Sequence, residues 1–255
     1  MKSISVILNG FKRPHTLKMQ YEAVMSQSVK PKEVLLWKTN QEGYQFDYNG
    51  LDNLEVTENT KDFGIWGRFV HALNSSSEYI CIIDDDTIPQ MNYFQSCIEC
   101  IENVENGLYG PYGIIFHDIE YQNVSRFGWV SPNDEIKKVD FVGHSWFFHR
   151  DLLGAFWREA GNVPDFLKRF GDDVYFAYAI QKYLNLSCFV PPHPMTDGSL
   201  WGSHPQLGYK LGVDDVAIST DPTRGPRFKE VLQHCIKNGF RPIEYDKFTK
   251  RIDSI

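Results

Sequence analysis

The chain has 255 residues, 42% of them hydrophobic, which suits one large α/β domain or two small ones with a sizeable buried core. Its formal net charge is −7 with dispersed basic residues, which argues against nucleic acid as a partner and leaves an anionic substrate in need of a metal ion or local arginines. No stretch approaches ~18 uninterrupted apolar residues, so no transmembrane segment is expected. The first residues run straight into a strand and the five cysteines show no repeated spacing, so the expectation is a cytoplasmic protein without a signal peptide, its thiols reduced.

Residues 3–8 form a short β-rich run ending at Asn9-Gly10, and residues 14–26 follow with Leu17, Tyr21, Val24 and Met25 at helical spacing. Residues 33–37 read as a second strand introduced by Pro31, and 54–57 as a third, so the opening pattern is βαβ with a parallel sheet. Residues 64–73 predict a helix, 78–83 a strand and 91–104 another helix. The texture then changes. Residues 107–113 are rich in Gly and Tyr, 114–116 and 125–130 predict strands of a mixed or antiparallel part, and 139–149 an aromatic strand. Helices are expected over 151–159, 174–183 and 228–238, with a long, functional or mobile loop over 191–226. The expected organisation is a single domain, 1–255, with a nucleotide-binding half over 1–105 and a second functional half over 106–255.

The most informative feature is the run Asp84, Asp85 and Asp86, placed directly after Tyr79-Ile80-Cys81-Ile82-Ile83. A single Asp-Asp after a strand is ordinarily a cap or a solvated turn. Three in succession at the carboxyl end of a buried strand repel one another unless a cation sits among them, and that sheet edge is where open α/β folds bind ligands. Hard oxygen ligands suit Mn²⁺ or Mg²⁺, ions that keep positions open for substrate phosphates.

The string Ile82-Ile83-Asp84-Asp85-Asp86-Thr87 resembles the aspartate motif of GT-A fold nucleotide-sugar glycosyltransferases, and other segments match in the same order. Residues 6–13 are similar to the first strand and donor-binding turn of the exostosin-type enzymes (the C-terminal hexosaminyltransferase domain), although Gly10 and Lys12 interrupt the usual Tyr-Asn-Arg. Val34-Leu35-Leu36-Trp37 resembles their second strand, and Gly67-Arg68-Phe69 stands where they carry Arg-Phe. Residues 142–149 resemble their Thr-Gly-Ala-Ala-Phe-Phe-His segment beside the acceptor. Gly171-Asp172-Asp173-Val174 is similar to their Glu-Asp motif, with Asp172 in place of the glutamate. The inverting family 2 of glycosyltransferases shares the outline more weakly.

The resemblance implies a Rossmann-like mixed sheet flanked by helices, and a metal-dependent hexosyl- or hexosaminyltransferase acting on a nucleotide-sugar, UDP being the expected nucleotide. The acceptor would be a hydroxyl of a glycan or glycoconjugate. It implies donor binding by Leu8, Asn9, Arg13, Asn40, Arg68, Asp84 and Asp85, with Asp84 toward the ribose or base and Asp85 toward the sugar. Asp86 is the expected metal ligand, completed by His204 or alternatively His193. Asp173 is the expected catalytic carboxylate, either deprotonating the acceptor in an inverting enzyme or orienting it in a retaining one. Gly143, His144, Trp146 and Asp172 are expected on the acceptor side, with Trp146 and Trp201 available to stack on sugar rings. Lys210, Arg224 and Arg227 lie in or beside the long loop, within reach of a pyrophosphate on closure. Two rival readings remain: a nucleotidyltransferase making sugar nucleotides, for which residues 9–13 are a poor phosphate loop, and a non-catalytic carbohydrate-binding protein.

Overall fold

The structure, a computed structural model, describes residues 2–161, 163–214 and 216–247. Met1, Asn162, Asp215 and 248–255, all inside the expected 1–255 domain, lie outside the described residues. The chain builds a large mixed sheet flanked by helices, in a single domain. The strands are β1 (Ile4–Gly10), β2 (Glu33–Thr39), β3 (Leu54–Asn59), β4 (Tyr79–Ile83), β5 (Gly107–Tyr109), β6 (Tyr112–Phe116), β7 (Val124–Gly128), β8 (Lys137–Val139), β9 (Phe141–Gly143), β10 (Ser145–His149) and β11 (Ser187–Val190). The α-helices are α1 (Leu17–Met25), α2 (Gly67–Ala72), α3 (Tyr93–Asn103), α4 (Leu153–Trp157), α5 (Asp172–Leu184), α6 (Pro205–Leu211) and α7 (Arg224–Lys237).

The eight-stranded sheet runs β3-β2-β1-β4-β10-β5-β11-β8, and β7-β6-β9 form a smaller antiparallel sheet. β1 pairs in parallel with both β2 and β4, as the opening βαβ pattern predicts. β1 and β4 are buried on both faces because their apolar residues are continuous, the mark of a central strand covered on two sides. Period-2 alternation divides these side chains between two cores. Ile7, Ile80, Ile82, Trp146 and Phe148 meet Phe69, Phe156 and Phe176 of α2, α4 and α5, while Val6, Leu8, Cys81, Ile83 and Phe147 meet Val24 of α1 and Phe94 of α3.

Two expectations are corrected. The aromatic strand expected over 139–149 is broken at His144, whose φ of 66° lies in the left-handed region. Phe141–Gly143 joins the small sheet and Ser145–His149 the large one, antiparallel to β4 with Ser145 opposite Ile83. Val139 closes β8 in the large sheet, and the left-handed backbone at His144 bends the chain from the small sheet into the large one. The long loop over 191–226 contains α6, started by His204 and Pro205, the latter's fixed φ suiting a first helical position. The last helix likewise begins at Arg224, a turn before its first apolar residue Phe228.

Candidate active site

The carboxyl ends of β1 and β4 open into a cleft of about 500 Å³ whose lining includes Asn9, Arg13, all three aspartates of the triplet, Gly143, His144, Asp172 and Asp173. Beyond β4 the backbone turns at once, the Thr87 amide donating to the Asp84 carbonyl at 3.1 Å. Buried Gln20, from α1, donates to the carbonyls of both Asp84 (2.5 Å) and Thr87 (3.1 Å) and so staples the turn. This clamp satisfies polar groups that no strand partner reaches. The sequence offered no sign of it beyond a lone polar residue on an apolar helix face.

The triplet's negative charge is met first by two arginines. Arg13 Nη1 donates to Asp85 Oδ1 at 2.5 Å and approaches Asp86 Oδ2 at 3.5 Å. Its Nε and Nη2 fork onto the Asp214 carboxylate, both at 2.7 Å. Arg68, 6% exposed, donates through Nη1 to Asp84 and through Nη2 to Asp172 Oδ2 at 2.5 Å. Burial pushes the Asp85 carboxyl up to about 7 even though Arg13 opposes the shift. It likewise raises Asp84 against the pull of Arg68.

Asp86 behaves differently. Burial pushes it up, but His144 and Arg13 outweigh burial and its pKa falls below the ordinary value. The imidazole moves the opposite way: burial alone would lower it, yet Asp86 holds it raised. His144 Nδ1 lies 3.8 Å from Asp86 Oδ1. One ligand atom each from Asp84, Asp86 and His144 falls within 4.8 Å of the others. His144 arrives there because β10 runs antiparallel beside β4, and the Asp84 amide donates to the His144 carbonyl at 2.9 Å. A histidine with positive φ next to a carboxylate cluster is the kind of backbone strain that functional sites retain.

Across the cleft, Gly171 enters α5 at φ 82°, and a Cβ there would strike Val231 of α7 at 2.7 Å. Asp172 and Asp173 then occupy the first turn, where the helix dipole favours negative charge. Asp173 faces Gly143: a Cβ placed on that glycine would sit 3.7 Å from Asp173 Oδ2. Burial and then the neighbouring Asp172 charge raise the Asp173 carboxyl to about 7.

Other expected residues lie elsewhere. Leu8 projects into the core between the sheet and helices α1 and α3, because alternation along β1 turns Asn9, not Leu8, to the cleft. Asn40 is exposed outside the cleft, whose wall at that point is Thr39. His204 stands at the amino end of α6, whereas Gly212, just past its carboxyl end, approaches Asp86 (3.1 Å from a Cβ built there to Oδ2). The His204 amide donates to the Ile88 carbonyl at 3.1 Å, and the residue belongs neither to the cleft lining nor to the group formed by Asp84, Asp86 and His144. His193 is buried, bonded to the Pro191 carbonyl and the Gly202 amide, and burial lowers it to about 4. Trp146 is 1% exposed beneath the Arg68 guanidinium at 4.5 Å, so its ring face is taken by the arginine. Trp201 is buried with its Nε1 on the Pro194 carbonyl. Lys210 is exposed outside the cleft lining, whereas Arg224 and Arg227 are part of it. The partner that sequence reasoning missed is Asp214, which had no local pattern to mark it.

No helix among the described residues is long and apolar enough to cross a membrane, and all five cysteines are buried and free. No family model matches the chain, and no curated protein matches it in sequence. In structure it is similar to GalNAc-T7, solved with UDP, GalNAc and Mn²⁺, at a TM-score of 0.57 and 14% identity. The similarity covers 97% of this chain and 53% of the other, so this chain spans about half the length of that neighbour. At that identity the likeness speaks for the fold and singles out neither the exostosin-type enzymes nor family 2. The sheet order, the helices on both faces and this neighbour together make the fold the GT-A fold of the glycosyltransferases.

Proposed function

We propose that this chain is a metal-dependent glycosyltransferase that moves a sugar from a nucleotide-sugar, a UDP-sugar first of all, to a hydroxyl of a glycan or other acceptor. The observation that carries this reading is the convergence of Asp84, Asp86 and His144 at the ligand edge of the sheet, with Asp173 on the facing wall of the same cleft. Atoms that share one divalent ion lie at most roughly 4 to 5 Å apart, twice a metal–oxygen distance, and these three meet that condition. Two carboxylates with one imidazole suit Mn²⁺ better than Mg²⁺, which prefers oxygen alone. A metal held there supplies charge neutralisation to a departing diphosphate.

The chain's own residues would do the rest. Arg13, always charged and forked, suits a phosphate, and Asn9 and Asp85 line the same side of the cleft. Gly143 puts no side chain between the cleft and the Asp173 carboxylate, and an acceptor hydroxyl would sit there. Asp173 either takes that hydroxyl's proton as the bond to the sugar forms or orients the hydroxyl by accepting its hydrogen bond.

Isothermal titration of UDP and GDP with and without Mn²⁺ tests the reading. Binding that needs the metal and is lost in Asp86→Ala is expected, followed by slow hydrolysis of one member of a UDP-sugar panel. If neither nucleotide binds, or binding ignores both the metal and Asp86→Ala, the reading is wrong.

A further inference from the structure

Arg68 was expected to touch the donor, yet its surroundings leave little of it for a substrate. It is 6% exposed, its guanidinium lies over the Trp146 ring at 4.5 Å, and its two terminal nitrogens each hold a carboxylate. Those carboxylates come from distant parts of the chain, Asp84 being 16 residues from Arg68 and Asp172 104 residues away. One directly follows β4 and belongs to the group that could hold a metal; the other opens α5 and immediately precedes Asp173.

We infer that Arg68 is a positioning residue, a buried strut that sets the spacing between the metal-binding edge of the cleft and Asp173, and that it does not bind the donor. The inference rests on the functional reading above for what that spacing is used for. A guanidinium suits the task because its planar fork fixes two carboxylates at a set angle, which a point-charged ammonium cannot do. Trp146 beneath it fixes the plane. On the far side, Gly171 in the left-handed region and Val231 against it fix the backbone that enters α5. Among the described residues, Asp172 is the side chain that ties that first turn to the triplet through Arg68. With Asp172 held, Asp173 has a set direction toward Gly143.

The test compares wild type, Arg68→Lys and Asp172→Asn; the asparagine variant keeps Arg68 on Asp84 and so retains the buried cation's other partner. UDP affinity with Mn²⁺ is measured by titration, and hydrolysis of the active UDP-sugar at saturation gives kcat. A strut predicts kcat lower by about 10- to 100-fold in both variants, because misplacement of a reacting group by a fraction of an ångström is felt at the transition state. UDP affinity stays within about twofold, since no donor contact has been removed. Arg68→Lys does not restore turnover, because the charge is kept but the fork is lost. Weakened UDP binding by about tenfold with kcat retained would instead mark Arg68 as a donor-binding residue and overturn the inference; so would full turnover in both variants. Amide hydrogen exchange supplies an arm independent of nucleotide. Peptides covering residues 169–175 should exchange faster in both variants, and unchanged exchange there overturns the strut whether or not UDP binds. Failure of wild type to bind any nucleotide overturns the functional reading alone, and the exchange result then still decides the strut.

Discussion

Arg13 forks onto Asp214, 201 residues away, with two hydrogen bonds of 2.7 Å, while its remaining nitrogen reaches Asp85. The segment after α6 is thereby held against the triplet, and Asp214 occupies the arginine that a donor diphosphate would use. Asp214 is 34% exposed, so its pair with Arg13 is worth only about 0.5–1 kcal/mol. Asp214→Asn is expected to tighten UDP binding in the presence of Mn²⁺ by roughly 2- to 5-fold, because the diphosphate no longer competes with a carboxylate. Titration calorimetry checks this; weaker binding would mean that Asp214 supports the donor.

The metal assignment separates two histidines. His144 shares the ligand group with Asp84 and Asp86, whereas His204 is bonded through its amide to the Ile88 carbonyl and stands outside that group and outside the cleft lining. His144→Ala should weaken Mn²⁺-dependent UDP binding by about 100-fold, whereas His204→Ala should leave it within about twofold. Electron paramagnetic resonance of Mn²⁺ titrated into each variant reads the ion directly.

A pH dependence follows from Asp173, whose carboxyl is raised to about 7 by burial and by Asp172. Its folded pKa lies above the unfolded one, so the folded chain binds the extra proton between about pH 4 and pH 7. That group's contribution to stability is therefore greatest at low pH, falls as pH rises through this window and is constant above it. Asp173→Asn removes this fall, and thermal melts of the two proteins should diverge progressively from pH 4 to pH 7. Turnover runs the other way, since the carboxylate is the working form: kcat/KM should rise with pH to a plateau above about pH 7.

Gly171 provides a test of backbone rather than charge. Its φ of 82° and the 2.7 Å clash a Cβ would make with Val231 both oppose any side chain. Gly171→Ala is expected to cost about 1–3 kcal/mol of stability, measured by chemical denaturation, with loss of turnover because Asp172 and Asp173 move with it.

Much of this arrangement was legible in local pattern. The strand before the triplet could be read because five apolar residues in succession need two covered faces, and Asp172-Asp173 stood out as a helix start after Gly171. His144 was seen as an acceptor-side residue of one long strand; nothing in Gly143-His144-Ser145 announces a positive φ, since the left-handed residue is the histidine and not the glycine. α6 was read as loop because its short amphipathic stretch makes too few turns to show a period. Asp214 had no signal at all and Gln20 only that of a lone polar residue on an apolar helix face, because each acts on a group far off in sequence.

Sequence by itself determined the order of the main elements over the first hundred residues, the parallel opening half and the acidic strand end, because these depend on burial and on periods only a few residues long. Tertiary structure decided which side chains meet. Antiparallel insertion of β10 beside β4 carries His144 to Asp84 and Asp86, and two arginines join the triplet to Asp172 and Asp214 across long stretches of chain. Such meetings depend on sheet register and helix docking, quantities set by the packing of the whole core.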